Sequence, residues 1–317
     1  KNHVSSEDLL NFTEQNGITG SFNATTGVLT LTGTSSVANY QTALRSITYS
    51  NSSDDPDTNT REFSFQVSDA YVSSSIETRT LDITAVNDAP TLTNTPQPAI
   101  NYTEGDGQSV IDTTLVTSDV DNSIIQSATI QITSGYAGAE DVLHFTDQNG
   151  ISGSLAGDTL TLSGPASLAN YQTALRSIAY ENTSDDPTGG TRTITFTIND
   201  GGLDSGPGSR DSTVTPVNDE QSLDINAGLS LNEGATAGIS NTELSTSDVD
   251  NTAAQLTYTV TSAPNNGQLE LTTGPGVPIA SFTQDDIDSG RLVYVHDDSE
   301  TTTDSFDFSV DDGAGAT

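Results

Sequence analysis

The 317-residue chain sets 44 aspartates and glutamates against eight lysines and arginines, a formal net charge of −36, and contains no cysteine, methionine or tryptophan. Charge of that sign leaves no basic patch for nucleic acid or an anionic membrane surface, and the missing cysteines exclude disulfides, thiolate nucleophiles and thiolate metal sites. The length suits two or three domains. High Ser, Thr, Asp, Asn and Gly content with regularly alternating apolar residues favours an all-β extracellular repeat over disorder. No apolar run approaches the ~20 residues of a membrane span, and residues 1–20 lack the pattern of a signal peptide. The chain is therefore expected to come from inside a longer polypeptide and to make no membrane insertion.

In chain order, Leu29-Thr30-Leu31 reads as a short strand, and Val37, Tyr40, Leu44 and Ile47 have helical spacing. Both patterns return, as Leu160-Thr161-Leu162 and as Leu168, Tyr171, Leu175 and Ile178. The recurrence is that of a whole domain. Phe12–Ser21 reappears as Phe145–Ser154, and Ala38–Ile47 returns unchanged at 169–178, an offset of 131 residues that also relates Ser53–Pro56 to 184–187 and Val86–Asp88 to 217–219. A third, more distant copy aligns Leu231-Asn232-Glu233-Gly234 with Tyr102-Thr103-Glu104-Gly105. Its Leu269–Leu271 and its alternating Leu256, Tyr258 and Val260 are further strands, and Asp304–Val310 parallels Glu62–Val67 and Thr193–Ile198. Those three strands end in Asp69, Asp200 and Asp312. Units of 1–90, 91–220 and 221–317 follow, the first incomplete at its start and the third at its end. Seven or so short strands per unit predict immunoglobulin-like antiparallel β-sandwich domains in tandem.

Asp119-Val120-Asp121-Asn122 lies 32 residues after Asn87-Asp88, and Asp248-Val249-Asp250-Asn251 lies 30 after Asn218-Asp219. One member of each pair falls in an interdomain linker and the other in a loop of the following domain. Grouped oxygen donors at a domain junction are what a hard divalent cation, above all Ca²⁺, requires. The plain alternative is that these residues cap turns.

The motifs Phe-Thr-x-Gln-Asn-Gly-Ile-x-Gly-Ser, Ala-Asn-Tyr-Gln-Thr-Ala-Leu-Arg-Ser-Ile and Val-Asn-Asp-Ala-Pro (86–90) resemble bacterial cadherin-like repeats of large surface adhesins. The third copy resembles the chondroitin sulfate proteoglycan variety of cadherin-like repeat in Phe282-Thr283, Asp286-Ile287, Gly290–Tyr294, His296 and Phe306–Phe308. The resemblance implies domains lying end to end, with calcium at the joints stiffening the rod. For the junction between the second and third units it implies ligation by Glu104, Asn218, Asp219, Asp248 and Asp250, with Asp200 as an extra ligand. For the junction between the first and second it implies Asn87, Asp88, Asp119 and Asp121, plus Asp69. The Asp-Arg-Glu motif of animal cadherins is absent, and Glu220 stands where the first linker has Ala89.

Asp54-Asp55-Pro56 and Asp185-Asp186-Pro187 read as hairpin turns. The isolated histidines, the 6% aromatic content and the lack of a Gly-x-Ser-x-Gly elbow argue against an enzyme. His144 reads as a surface residue, and His296 is not expected to be a ligand. The expected role is a secreted or cell-surface adhesin module, a Ca²⁺-stiffened spacer with neighbouring repeats as its contacts. The alternative is a domain that binds a glycan or a cell-surface protein.

Overall fold

The computed structural model describes residues 1–69 and 71–314; residues 315–317, the end of the third expected unit, lie outside the described residues. Strands dominate, and strand pairing falls into three successive groups. The first contains β1 (Asp8–Asn11), β2 (Thr19–Asn23), β3 (Val28–Thr32), helix α1 (Val37–Arg45), β4 (Thr48–Asn51), β5 (Arg61–Phe65) and β6 (Glu77–Leu81). They pair as β1 with β4, β2 with β3 and β5 with β6.

The second group is the most extensive. It comprises β7 (Thr91–Thr93), β8 (Ile100–Thr103), β9 (Ser109–Val110), β10 (Val116–Ser118), β11 (Ile124–Ser134), β12 (Asp141–His144), β13 (Ser152–Ala156), β14 (Thr159–Ser167), α2 (Leu168–Arg176), β15 (Ala179–Asn182), β16 (Gly190–Asn199) and β17 (Gly208–Thr215). A six-stranded sheet in the order β13-β14-β11-β16-β17-β8 and a three-stranded sheet β12-β15-β9 flank the core, and β7 pairs with β10. The third group holds β18 (Ser222–Asn226), β19 (Thr236–Gly238), β20 (Leu244–Ser247), β21 (Thr257–Ser262), β22 (Gly267–Leu271), β23 (Ser281–Thr283), α3 (Gln284–Asp288), β24 (Leu292–His296) and β25 (Asp307–Asp311). Its main sheets are β19-β24-β22 and β23-β21-β25. The tandem β-sandwich expectation holds, with more strands in the second unit than the seven or so expected.

Alternation builds the cores. Ile194, Phe196 and Ile198 of β16 point inward, fully buried, beside Ile130 and Ile132 of β11 and Leu160 and Leu162 of β14. A register shift between Ile125 and Ser127 lets β11 bury Ile125 and then Ala128. Each such side chain contributes ~1.5–3 kcal/mol by leaving water. Among the described residues, strand pairing is antiparallel except between β8 and β17, which run parallel with Ile100 opposite Ser212 and Thr103 opposite Thr215. The exception follows from the path of the chain: β7 lies against β10, and the chain then crosses to the edge of the large sheet as β8.

The repeated motifs prove architectural. Asn149 and Gly150, with φ of 54° and 79°, form the two-residue turn between Gln148 and Ile151, as Asn16 and Gly17 do between Gln15 and Ile18. Gly153 lies under the Phe145 ring, where an added Cβ would come within 2.7 Å. In Leu168–Arg176, Ser167 caps the helix by accepting the Asn170 N–H, Tyr171, Ala174 and Leu175 are buried, and the Tyr171 hydroxyl donates to the Gly164 carbonyl.

A buried ion pair recurs with them. Arg192, 1% exposed, donates Nε–H to Asp141 Oδ2 at 2.9 Å and an Nη2 hydrogen to the Thr188 carbonyl. Asp141 Oδ1 also accepts from the Tyr180 hydroxyl and the Asn182 amide. Burial, reinforced by that bond to Asp141, pushes the Tyr180 hydroxyl far up. Arg61, Asp8, Tyr49 and Asn51 repeat the arrangement in the first unit. Removing one member strands a buried charge, so Arg192→Ala and Asp141→Ala should each cost about 3–5 kcal/mol in chemical denaturation. The double replacement should cost clearly less than the sum.

Candidate functional site at the two linkers

The two linkers share a set of bonds. In the first, the Asp88 N–H donates to Asp121 Oδ2 at 3.0 Å; in the second, the Asp219 N–H donates to Asp250 Oδ2 at 2.6 Å. The Asn87 side-chain amide donates to its neighbour's carbonyl and to Asp200 Oδ2 at 2.8 Å, and Asn218 does the same with Asp312 Oδ2 at 2.7 Å. The side-chain oxygen of each of these asparagines accepts from a second one, Asn122 or Asn251.

The Asp-x-Asp loops explain why these carboxylates face the linker. Asp119 Oδ1 accepts from the Asp121 and Asn122 N–H groups, and Asp248 Oδ1 from those of Asp250 and Asn251, which winds each loop into a tight turn. The other oxygen of each first aspartate, Asp119 Oδ2 and Asp248 Oδ2, is buried with no hydrogen-bond partner. Two equivalent carboxylates thus carry the same unspent acceptor beside the linker.

On the preceding side, the second linker is held by Glu104, whose Oε2 accepts from the Val217 N–H at 2.8 Å. The Glu104 N–H in turn donates to the Thr215 carbonyl. The structure therefore brings Asn87, Asp88, Asp119 and Asp121 together at the first linker, and Asn218, Asp219, Asp248, Asp250 and Glu104 at the second.

Two expected ligands lie elsewhere. Asp200 serves the first linker, through Asn87, and not the second. Glu104 sits beside Thr215 at the end of β17, whereas β16 runs antiparallel to β17 and delivers Asp200 to the opposite end of the unit. Asp69, at the equivalent place in the first unit, caps its own loop by accepting from the Tyr71 and Val72 N–H groups, and among the described residues no bond joins it to Asn87 or Asp88. Asp312, the repeat equivalent of Asp200, joins Asn122 and Asn251 as additional linker partners outside the ligand set that the resemblance implies. Asp185, read as a turn residue, is close enough to the second linker to act on Asp219.

Electrostatics follow the geometry. Asp119 is held above the usual carboxylate range, chiefly by burial and then by its interaction with Asp121. Asp219 is also raised, by desolvation and by the charges of Asp250, Asp185 and Asp248. Asp200 is lowered: burial opposes this, but the N–H groups of Leu203, Asn87 and Gly202 outweigh it. His296 is occupied, its Nδ1 accepting from the Gly234 and Asp298 N–H groups, and His144 pairs with Glu181.

As they stand, no three acidic or histidine side chains converge into a metal-ligating group among the described residues. The donor chemistry nevertheless suits a hard cation: carboxylate and amide oxygens throughout, with one buried carboxylate oxygen per linker lacking any proton donor.

Comparison with known proteins places part of this chain. Residues 222–317 match the cadherin-like family model. The match takes in the third unit and leaves the first two outside. Extracellular matrix protein 3 of Lytechinus variegatus is 39% identical over 137 residues, 43% of this chain and 4% of that protein. FRAS1-related extracellular matrix protein 2 of Homo sapiens is 43% identical over 90 residues, 28% of this chain and 3% of the relative. Chondroitin sulfate proteoglycan 4 of Homo sapiens is 39% identical over 102 residues, 32% and 4% respectively. The chain thus spans only a few per cent of the length of these relatives, which are eukaryotic. The resemblance to a proteoglycan-type repeat holds, and the bacterial source suggested by the motifs finds no support in them. A solved structure of protocadherin gammaB7, the EC3-6 cis-dimer, aligns over 92% of this chain and 58% of its own at 15% identity, but its TM-score of 0.25 carries no argument. No helix among the described residues is long and apolar enough to cross a membrane.

The raised position of Asp119 has a testable sign. A carboxyl raised by folding favours the folded state below its ordinary titration range and loses that contribution as pH rises through its folded value. In chelator at pH 7, Asp119→Asn, which keeps the Oδ1 acceptor, should raise the melting temperature of the second unit by a few degrees. The gain should vanish as the pH approaches ~4, as differential scanning calorimetry would record.

Proposed function

We propose that the chain is a spacer segment of an extracellular adhesion-type protein, built of units 1–90, 91–220 and 221–317, whose joints are stiffened by Ca²⁺. The observation that carries this is the duplicated linker, where Asp119 and Asp248 each leave one buried carboxylate oxygen without a proton donor. A buried, unpartnered anionic oxygen is costly, and a cation removes the cost. The extracellular names of the relatives support the setting. Nothing in the site pairs a nucleophile with a base, which favours a mechanical role over a catalytic one.

At the first joint the ligands would come from Asn87, Asp88, Asp119, Asp121 and Asp200. At the second they would come from Glu104, Asn218, Asp219, Asp248, Asp250 and Asp312, with Asp185 beside them. Some of these carboxylates now accept backbone N–H groups, so closing a ligand set requires them to turn toward a common centre. Bound calcium would supply positive charge that cancels the mutual repulsion of the acids. The chain's own part is to present oxygens from the linker and the following unit, and at the second joint from the preceding unit through Glu104, so that ligation restricts the angle between units.

Extracellular modules of this sort bind Ca²⁺ with dissociation constants of ~10⁻⁴–10⁻³ M. In about 1 mM Ca²⁺ each site should then add roughly 0.4–1.4 kcal/mol to the stability of what it joins. Small-angle scattering should give a longer, more uniform particle in calcium than in chelator, with a higher melting temperature. Asp119→Ala combined with Asp121→Ala should abolish the response of the first joint and spare the second. Identical scattering and melting with and without calcium would end this reading.

A further inference from the structure

Outside the linkers, one cationic group stands out in this acidic chain. Arg210 lies on β17, two and four residues before Ser212 and Val214, which are buried at 0% and 2% exposure. Strand alternation therefore directs it along the core-facing side, at the open end of the sandwich. Its Nε and Nη1 atoms are buried and have no hydrogen-bond partner. An arginine that donates neither to protein carbonyl nor to carboxylate from two buried nitrogens carries a desolvation cost that a ligand oxygen would remove.

The buried acid that feels its charge is already committed elsewhere. Asp112, 3% exposed, has Oδ1 occupied by the N–H and hydroxyl of Thr114, each at 2.7 Å, and Oδ2 by the Asn94 amide at 3.1 Å. It feels the Arg210 charge, which helps to lower it against the effect of burial, yet no ion pair joins them among the described residues. Asp211, the next residue, accepts from the Thr193 hydroxyl at 2.9 Å.

Arg210 borders two recesses. The larger, about 250 Å³, is formed where the chain crosses between sheets from β7 to β8, and it is lined by Asn94, Gln97, Ser209 and Asp211 among others. The smaller, about 140 Å³, shares Arg210 and Gln97 with it and adds the apolar Val110 and Ile111. Both are below the ~300 Å³ at which drug-sized ligands are accommodated, so the occupant is of single-ring size. Amide, hydroxyl and carboxylate groups around one unspent guanidinium call for a ligand with one anionic oxygen group and several hydroxyls. The formal charge of −36 weighs against a polyanion.

We propose that the Arg210 recess is a binding site for a carboxylated monosaccharide, with the sugar carboxylate on Arg210 and the sugar hydroxyls on Gln97 and the side-chain oxygen of Asn94, whose amide is held by Asp112 and the Ser209 carbonyl. Arg79, which stands 131 residues before Arg210 on the equivalent strand β6, is exposed and serves as a control.

The test is a nitrogen-15 NMR titration of the whole chain with glucuronate, glucose, acetate and inorganic sulfate. Glucuronate should cause saturable shifts of the Arg210 Nε–H and of the Gln97 side-chain amide, at millimolar concentration. Glucose and acetate should each bind at least about tenfold more weakly. Arg210→Gln should abolish the shifts while leaving the melting temperature within a degree or two, and Arg79→Gln should leave them intact. No saturable shift, or shifts that survive Arg210→Gln, would overturn the site. Acetate binding as tightly as glucuronate would replace the sugar with an acidic peptide side chain, and tighter sulfate binding would overturn the carboxylate assignment.

Discussion

A single backbone amide, given by the linker to a carboxylate of the unit that follows, fixes everything else at each joint. The N–H of Asp88 or Asp219 can reach Asp121 or Asp250 only if the linker lies against the Asp-x-Asp loop. Once it does, the neighbouring asparagine is brought to the strand-end aspartate, Asp200 or Asp312. The acids thus gather because each accepts a hydrogen bond from a backbone or side-chain amide, not because they attract one another. That leaves the two first aspartates, Asp119 and Asp248, with one oxygen each that nothing in the chain satisfies. Neutral hydrogen bonds organise the joint and leave its charge uncompensated.

Much of this was legible in the sequence because duplication writes a structure twice. The Asn-Gly turns, the helix following Ser36 or Ser167 and the strand after Gly153 all appeared as repeated motifs with a local physical reason. The pairing of linker Asn-Asp with Asp-x-Asp was readable from its repeated spacing. What escaped was whatever depended on which end of a strand faces which neighbour. Asp200 serves the first joint although its sharing a unit with Glu104 points to the second, because a strand-end aspartate carries no mark of direction; only the antiparallel pairing of β16 with β17 sets it opposite Glu104. The buried Arg61 and Arg192 networks were equally invisible, since their partners lie 53 and 51 residues away and charges on a strand ordinarily face water.

The charged network around Arg61 in the first unit repeats the one around Arg192 in the second. Asp8 is held below the usual carboxylate range: burial opposes this, and the Tyr49 hydroxyl, the Val4 N–H and Arg61 outweigh it. One sequence pattern thus fixes the same polar contacts twice.

The parallel pairing of β8 with β17 has a consequence for a molecule under tension. The chain enters the second unit through β7, crosses to the sheet edge as β8 and leaves the unit just after β17. Once β7 has parted from β10, opposed pulls on the two ends slide β8 and β17 past each other along their length. The bonds between Ile100–Thr103 and Ser212–Thr215 lie across that motion and bear the load together. An antiparallel pair at the same place would open one bond at a time, like a zip. The crossover from β7 to β8, which looks like an irregularity of the sheet, is thus what makes this edge of the unit a mechanical clamp.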